Sequence, residues 1–312
     1  MVSHHTPVAS VDAASPPSCT EAEARLRVAE NVALALTHRT PTGARRAPLV
    51  LAHGFGQSRA AWERSSRLLS ARGHASTRFD ARGHGDSDRN PRDLPYRGEQ
   101  FVDDLVAVAA AAGPRPVLVG ASMGGLLGLL AQARETCFSA LVLVDITPRW
   151  EDAGVRRILD FMGAHPEGFD SLEHAADEIA RYLPHRGSRK SPGQLRQLLR
   201  PDGAGRWRWH WDPRLLEEFA RDSHQHQDRM MEAARAVEVP VLLVSGGRSD
   251  LVSAETVSEF LQLVPHASHV RLPEATHMVA GDDNDAFTAS VMDFLAEHGG
   301  PNPMPPETGV SR

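Results

Sequence analysis

The chain has 312 residues, a net charge of −6 and two cysteines, Cys19 and Cys137. This length can bury a large core and carry an insertion, whereas the negative charge argues against a nucleic-acid partner. Two isolated cysteines argue against a disulfide framework or a zinc site. No apolar run approaches the roughly 18 residues of a membrane helix, so we expect no membrane partner.

Both ends of the chain differ in composition from its middle. The first 18 residues contain no basic segment and no apolar stretch of the kind a signal peptide needs. Residues 299–312 include four prolines. We therefore predict disordered tails at residues 1–23 and 299–312 and a cytoplasmic location.

The first predicted elements are an antiparallel hairpin and a buried strand. The hairpin spans Arg25–Ala29 and Val32–Thr37, and the apolar strand Leu49–Ala52 ends in His53-Gly54-Phe55-Gly56. A loop at this position can direct a backbone N–H at a developing oxyanion, and we assign that role to Phe55.

The same loop has a second interpretation. Gly54-x-Gly56 after a strand resembles part of a dinucleotide fingerprint, and Asp80 ends the next strand about where a ribose-binding acid would lie. Arg59 occupies the third glycine position and would block close helix–strand packing, which disfavours a nucleotide site.

A charged, glycine-rich loop follows the short strand His74–Phe79. Its sequence is Asp80-Ala81-Arg82-Gly83-His84-Gly85-Asp86-Ser87. We interpret this segment as a turn held by its own polar side chains, and we assign His84 a structural role.

The pentapeptide Gly120-Ala121-Ser122-Met123-Gly124 is the strongest indication of chemistry. It lies between the apolar strand Pro116–Val119 and an apolar helix. A serine on such a sharp strand-to-helix turn is typical of a nucleophile elbow, because only small flanking residues fit there. We therefore predict Ser122 as the nucleophile and the N–H of Met123 as the second oxyanion donor.

Two further side chains follow later strands. Asp250 follows the strand Val241–Val244, and His277 follows the strand His269–Leu272. Serine, acid and histidine in this order match the order that an α/β-hydrolase sheet imposes, so we assign His277 as the base and Asp250 as the acid. Asp145, at the end of the strand before a long insertion, is the alternative acid.

The segment between these motifs is too long to be a loop. More than 90 residues separate Val144 from Val239, and we predict a helical cap over residues 148–236. Its helix candidates are Arg156–Met162, Leu172–Leu183, Gln194–Arg200 and Pro213–Ala234. Four tryptophans lie in it and either pack the cap on the core or form an aromatic wall for the substrate: Trp150, Trp207, Trp209 and Trp211. Ten arginines between Arg149 and Arg208 include candidates for clamping a substrate carboxylate.

The alternation of strands and helices defines the fold class. It predicts an α/β protein with a mostly parallel twisted sheet and helices on both faces. The core would comprise residues 24–147 and 237–298. Helices are predicted at Arg59–Ala71, Gly98–Ala112, Met123–Glu135, Ala254–Leu263 and Ala286–His298.

In these motifs the chain resembles the α/β-hydrolase superfamily, in its esterase, lactonase and carbon–carbon-bond hydrolase branch. Two positions depart from the family pattern: Ala121 replaces a larger residue before the nucleophile, and Thr276 replaces a glycine before the histidine. The resemblance implies a serine hydrolase of esters or lactones that needs no cofactor or metal. Ser122 argues against epoxide or haloalkane hydrolysis, for which relatives use an aspartate nucleophile.

Two alternatives stay open. The same triad hydrolyses carbon–carbon bonds in vinylogous diketones, and a non-catalytic receptor on this fold is also compatible with the sequence. The partner we expect is a small-molecule ester or lactone. Association into a homo-oligomer is a further hypothesis about partners.

Overall fold

The computed structural model describes residues 18–44, 46–183, 189–219, 223–277 and 284–299. The strands of its main sheet are Cys19–Ala29 (β1), Val32–Pro41 (β2), Leu49–Ala52 (β3), Ser76–Phe79 (β4), Val117–Ala121 (β5), Ala140–Val144 (β6), Val241–Gly246 (β9) and Ser268–Leu272 (β10). They lie in the order β1-β2-β4-β3-β5-β6-β9-β10. The pairs β1–β2 and β2–β4 are antiparallel and the other neighbours are parallel, so the sheet is mostly parallel, as predicted.

The central strands are buried on both faces, which explains their uninterrupted apolar sequences. Five helices flank the sheet: Glu63–Ser70 (α1), Gly98–Ala112 (α2), Met123–Glu135 (α3), Ala254–Leu263 (α9) and Asn284–His298 (α10). A 3₁₀ turn, Arg59–Trp62, leads into α1. In β3, Leu49 and Leu51 belong to the core cluster on the α1 and α10 face, while Val50 belongs to the cluster on the α2 and α3 face. This alternation gives the α/β layer arrangement.

The segment between β6 and β9 is mainly helical. Its elements are Asp152–Gly163 (α4), Leu172–Tyr182 (α5), Pro192–Leu195 (α6), Leu199–Pro201 (β7), Trp207–Trp209 (β8), Leu215–Phe219 (α7) and Ser223–Arg235 (α8). We call this segment, from residue 148 to 236, the cap. The first two helices predicted in the cap, Arg156–Met162 and Leu172–Leu183, correspond to α4 and α5, with ends that differ by at most four residues.

Two cap elements differ from the prediction. The helix expected over Gln194–Arg200 is wrong beyond α6, because the chain turns at Gly203 and Gly205, both at positive φ, and pairs β7 with β8. The single helix expected over Pro213–Ala234 consists of α7 and α8, with residues 220–222 outside the described part.

The N-terminal boundary also differs. Residues 19–23 were expected in a disordered tail, but β1 begins at Cys19 and pairs with β2 up to Pro41. Most residues of β1 are exposed because it is an edge strand, so its sequence is too polar to mark a strand. The predicted tail residues 1–17 and 300–312 lie outside the described residues.

Candidate active site

Ser122 occupies a strained turn between β5 and α3. Its backbone has φ 46° and ψ −114°, a combination that costs free energy in a non-glycine residue. A Cβ atom at Gly120 would lie 2.6 Å from the backbone of Gly124, and a Cβ at Gly124 would lie 2.5 Å from the carbonyl oxygen of Ala52. The glycines of the pentapeptide are therefore required for the turn, and the strand–turn–helix geometry is the one its sequence indicates.

Asp145 lies at the end of β6, the strand next to β5. It too is a non-glycine residue at positive φ, 49°, and its side chain is fully buried. The carboxylate accepts hydrogen bonds from Gly246 N–H (2.6 Å), the Ser249 hydroxyl (2.6 Å) and His277 Nδ1 (2.7 Å). Three donors compensate the desolvation of a buried carboxylate and fix its position.

His277 follows β10 in the segment that contacts the end of β9. A Cβ at Gly246 would lie 2.6 Å from the carbonyl oxygens of both Ala275 and Thr276, so the chain passes this glycine at close range. Thr276, one of the two departures from the family pattern, is accommodated there. The side chain of His277 is 16% exposed, whereas that of its partner Asp145 is buried.

The predicted pairing of His277 with Asp250 is wrong in this structure. Asp250 instead forms an ion pair with Arg157 of α4, at 2.8 Å. The path of the loop after β9 explains why Asp250 does not reach His277. The Ser249 hydroxyl donates a hydrogen bond to Asp145, and the next residue, Asp250, faces the cap. A Cβ at Gly154 of α4 would lie 2.0 Å from the Asp250 carbonyl oxygen. Asp250 thus contacts the cap, and Asp145 takes the position at the histidine.

Phe55 and Met123, the predicted oxyanion donors, both line a cavity beside Ser122. A Cβ at Gly54 would lie 3.3 Å from the Ser122 Cβ, which places the loop after β3 directly against the serine. Met123 is the first residue of α3, whose first amides have no carbonyl partner within the helix. The two backbone segments needed for an oxyanion hole therefore flank the serine.

Three buried histidines support the loop that carries Phe55. Nε2 of His84 accepts the N–H of Gly56 at 3.2 Å, and the rings of His53 and His84 lie 5.1 Å apart. From the cap, Nδ1 of His210 accepts the N–H of Gly85 at 2.8 Å. Burial lowers the pKa of all three imidazoles, that of His210 to about 3. They are neutral hydrogen-bonding groups that hold loops in place, which agrees with the structural role expected for His84.

The charged loop after β4 is also held by its own side chains. Asp80 accepts from the backbone N–H and the guanidinium of Arg59 and, at 2.8 Å, from Asp86 N–H. Arg82 forms a two-point ion pair with the buried Asp104. Arg59 and the loop backbone already donate hydrogen bonds to the Asp80 carboxylate. The structure therefore does not support Asp80 as the ribose-binding acid of a nucleotide site.

A cavity of about 220 Å³ adjoins Ser122 beneath the cap. Its apolar wall comes from α3, the end of β6 and the cap helices. Lining side chains include Leu126, Leu127, Leu130, Ile146, Ile158 and Met230. The wall can exclude water from an apolar acyl group beside the serine.

The four cap tryptophans divide between the two expected roles. Trp150 lines the cavity. Trp211 is buried and packs on Phe55, with ring centroids 5.0 Å apart, and Trp209 packs on Trp211. Trp207 pairs with Leu199–Pro201 in the two-stranded sheet. Trp207, Trp209 and Trp211 are not among the described residues that line the cavity. These three tryptophans therefore pack the cap, and the aromatic-wall prediction applies only to Trp150.

The sequence did not identify the arginine that lines the cavity. Of the ten arginines considered as carboxylate clamps, Arg186 lies outside the described residues and the other nine do not line the cavity. Arg229 of α8 does, together with Glu99, Glu218 and His226. A charged residue on a surface helix gives no sequence signal of this placement.

Two other expectations concern features elsewhere in the molecule. Both cysteines are free thiols. Within the described ranges, no cluster of three metal-ligating side chains is present. None of the helices that are described there has the length and apolar character to cross a bilayer.

Comparison with known proteins defines the family. Residues 49–290 match the alpha/beta hydrolase family. The 3-hydroxybutyrate-oligomer hydrolase of Cupriavidus necator is 29% identical over 210 residues, which cover 64% of this chain and 71% of that protein. Esterase YbfF of Escherichia coli is 27% identical over 252 residues, covering 80% and 92%. An alpha/beta hydrolase from Novosphingobium aromaticivorans has the same fold, with a TM-score of 0.74 at 22% identity over 88% of this chain and 98% of that one.

The chain therefore belongs to the alpha/beta hydrolase family, as its motifs and its sheet order indicate. It is a hydrolase, and its candidate active site lies at the carboxyl ends of β5 and β6, beneath the cap.

Proposed function

We propose that this protein is a serine hydrolase that cleaves a carboxylic ester or lactone through an acyl-enzyme. The observation that carries the proposal is the hydrogen bond of 2.7 Å between His277 Nδ1 and the buried Asp145, one strand away from the strained Ser122. A serine is a poor nucleophile at neutral pH unless an adjacent base takes its proton.

His277 is the proposed base. Its Nδ1 donates to Asp145, which leaves Nε2 as the nitrogen that takes the Ser122 proton and later returns it to the leaving group. Asp145 holds the imidazole in this tautomer and stabilises the imidazolium. The Gly246 N–H and the Ser249 hydroxyl position Asp145 in turn.

The substrate carbonyl is attacked by Ser122, and its oxygen becomes negatively charged. In the proposed mechanism the N–H groups of Phe55 and Met123 bind this oxyanion; one such donor is worth roughly 3–4 kcal/mol of barrier. The alkoxide leaves as an alcohol, or as the opened hydroxyl end of a lactone. Water, activated by His277, then hydrolyses the acyl-enzyme. The mechanism uses no cofactor or metal.

The apolar cavity supports an aliphatic acyl group as the part of the substrate that is recognised. Each methylene buried there contributes about 0.8 kcal/mol, so the cavity of about 220 Å³ favours medium over very short chains. Relatives named as an esterase and as a 3-hydroxybutyrate-oligomer hydrolase are consistent with ester cleavage. We further propose that the enzyme acts in the cytoplasm on small molecules, with neither nucleic acid nor membrane as a partner.

A hydrolysis screen tests the proposal. It would use p-nitrophenyl esters of increasing chain length, aryl esters, lactones and vinylogous diketones, each with the wild-type protein and with Ser122→Ala. We expect Ser122-dependent turnover of esters or lactones and labelling of Ser122 by a fluorophosphonate probe. Turnover of diketones alone would favour carbon–carbon hydrolysis, and absence of both turnover and labelling would favour a receptor.

A further inference from the structure

The polar end of the cavity lining is formed by side chains of three helices. Glu99 lies in the first turn of α2, Glu218 in α7, and His226 and Arg229 in α8. The rest of the described lining is predominantly apolar. Any charged end of an acyl chain would therefore be recognised or rejected by this group of residues.

Arg229 is the one arginine among the described lining residues, and its guanidinium is already engaged. Nη1 donates to Glu99 Oε1 at 2.7 Å. This hydrogen bond is the largest cause of the lowered pKa of Glu99, so the carboxylate stays ionised at neutral pH. The other acid of the group, Glu218, accepts the Gly98 N–H at 2.9 Å.

The charges of this group do not favour an anionic substrate. Two carboxylates, Glu99 and Glu218, line the same cavity as the Arg229 guanidinium, and Glu99 accepts a hydrogen bond from it. A guanidinium binds a carboxylate best through two parallel N–H donors. A substrate carboxylate that used Nη1 as one of its two donors would have to compete with Glu99 for it.

We propose that Glu99 is a specificity-determining residue: by occupying Arg229 it makes the cavity select uncharged acyl chains and reject chains that end in a carboxylate. This inference rests on the proposed function, because its measurement is ester turnover. Removal of the Glu99 charge would leave Arg229 available as a carboxylate-binding group at the same site.

The test compares two esters of similar length, p-nitrophenyl heptanoate and the p-nitrophenyl monoester of adipic acid. The ratio of their kcat/KM values would be measured for the wild type, Glu99→Gln and the double variant Glu99→Gln/Arg229→Gln. Competitive inhibition by adipate provides a second measurement. Glu259→Gln is the matched control, because Glu259 forms an ion pair of the same 2.7 Å length with Arg149 but is not among the described lining residues.

Because 51% of the Arg229 side chain and 57% of the Glu99 side chain are accessible, we expect the wild type to prefer the heptanoate ester by about two- to fivefold. Glu99→Gln should raise relative turnover of the adipate ester by about two- to fivefold and strengthen adipate inhibition, and the double variant should reverse both effects. Glu259→Gln should leave the ratio unchanged. An unchanged ratio in Glu99→Gln, or a gain that persists without Arg229, would overturn the inference alone. If the wild type showed no Ser122-dependent hydrolysis of either ester, the proposed function would be overturned as well.

Discussion

Nδ1 of His277 lies 2.7 Å from Oδ2 of Asp145, although 132 residues separate them in the sequence. The hydrogen bond joins the residue that follows β6 to the segment after β10, across the intervening strand β9. Gly246 and Ser249, at and after the end of β9, complete the hydrogen bonding of the same carboxylate. The segments at the ends of β6, β9 and β10 thus together determine that Asp145 is the aspartate that contacts His277.

Replacement of Asp145 by asparagine should nearly abolish activity. The amide cannot stabilise an imidazolium and favours the wrong imidazole tautomer, a change that costs about 10⁴-fold in kcat in serine hydrolases with this arrangement. Steady-state kinetics on a p-nitrophenyl ester would measure the loss, with circular dichroism as the test of folding. Near-normal kcat in a folded Asp145→Asn protein would contradict the assignment.

Replacement of Asp250 by asparagine should have a small effect. Its ion pair with Arg157 is partly exposed, with 32% and 49% of the side chains accessible, and such pairs contribute about 0.2–1 kcal/mol. We expect kcat/KM within about fivefold of wild type, and the same for Arg157→Gln. If Asp250→Asn were as inactive as Ser122→Ala, Asp250 and not Asp145 would be the functional acid.

Replacement of Gly124 by alanine should destabilise the protein and impair the elbow. The added methyl group would meet backbone and Cβ atoms of Ala52 within 2.8 Å, and backbone cannot move aside as a flexible side chain can. Overpacking of this kind typically costs about 1–3 kcal/mol. Thermal unfolding and ester kinetics would measure both effects. Gly193→Ala in α6 is the control, since only the Ser191 Oγ lies near the added Cβ, at 3.9 Å; equal loss in both variants would refute the steric argument.

The buried histidines predict acid sensitivity. Folding lowers the pKa of His53, His84 and His210, so below about pH 6.5 the unfolded chain binds protons that the folded chain excludes. The contribution of these neutral histidines to the free energy of unfolding is complete above that pH and is lost as the pH falls. For His210 the loss continues down to its folded-state pKa of about 3. Each histidine contributes up to about 1.4 kcal/mol per pH unit.

Guanidinium denaturation at pH 7.5, 6.5 and 5.5 would measure this dependence. His210→Gln, whose side-chain oxygen can still accept from Gly85, should reduce the slope of unfolding free energy against pH. His266→Gln, at an exposed position, should not change it. Equal slopes in the wild type and the His210 variant would show that this imidazole is not the source.

Enlargement of a cavity residue should shorten the preferred acyl chain. Leu130 lies eight residues after Ser122 on α3, about 12 Å along the helix, and lines the same cavity. Leu130→Phe should lower kcat/KM for octanoate relative to acetate esters, by about fourfold for each methylene that no longer fits. Leu94→Phe, at an exposed position, is the control. An unaltered chain-length profile would mean that the acyl group lies elsewhere.

The sequence by itself determined the sheet and the elbow, because both follow from local rules. Apolar runs such as Val117–Val119 are buried on both faces, and the turn itself requires glycine at Gly120, because a Cβ there would meet the backbone of Gly124. It also predicted a structural role for His84 and its loop. It missed only the first part of β1, residues 19–24, because exposed strand residues lack an apolar pattern.

The tertiary structure determined the features of the site that depend on contacts between segments far apart in the sequence. Asp145 and Asp250 both follow strands at the same edge of the sheet, and their sequences do not distinguish them. The choice depends on the positive φ of Asp145 and on the close approach of Gly154 to the loop after β9, which turns Asp250 toward Arg157. The pairing of Arg229 with Glu99 likewise joins two helices 130 residues apart. Such contacts arise from packing of the cap on the core, for which a single sequence has no local signal.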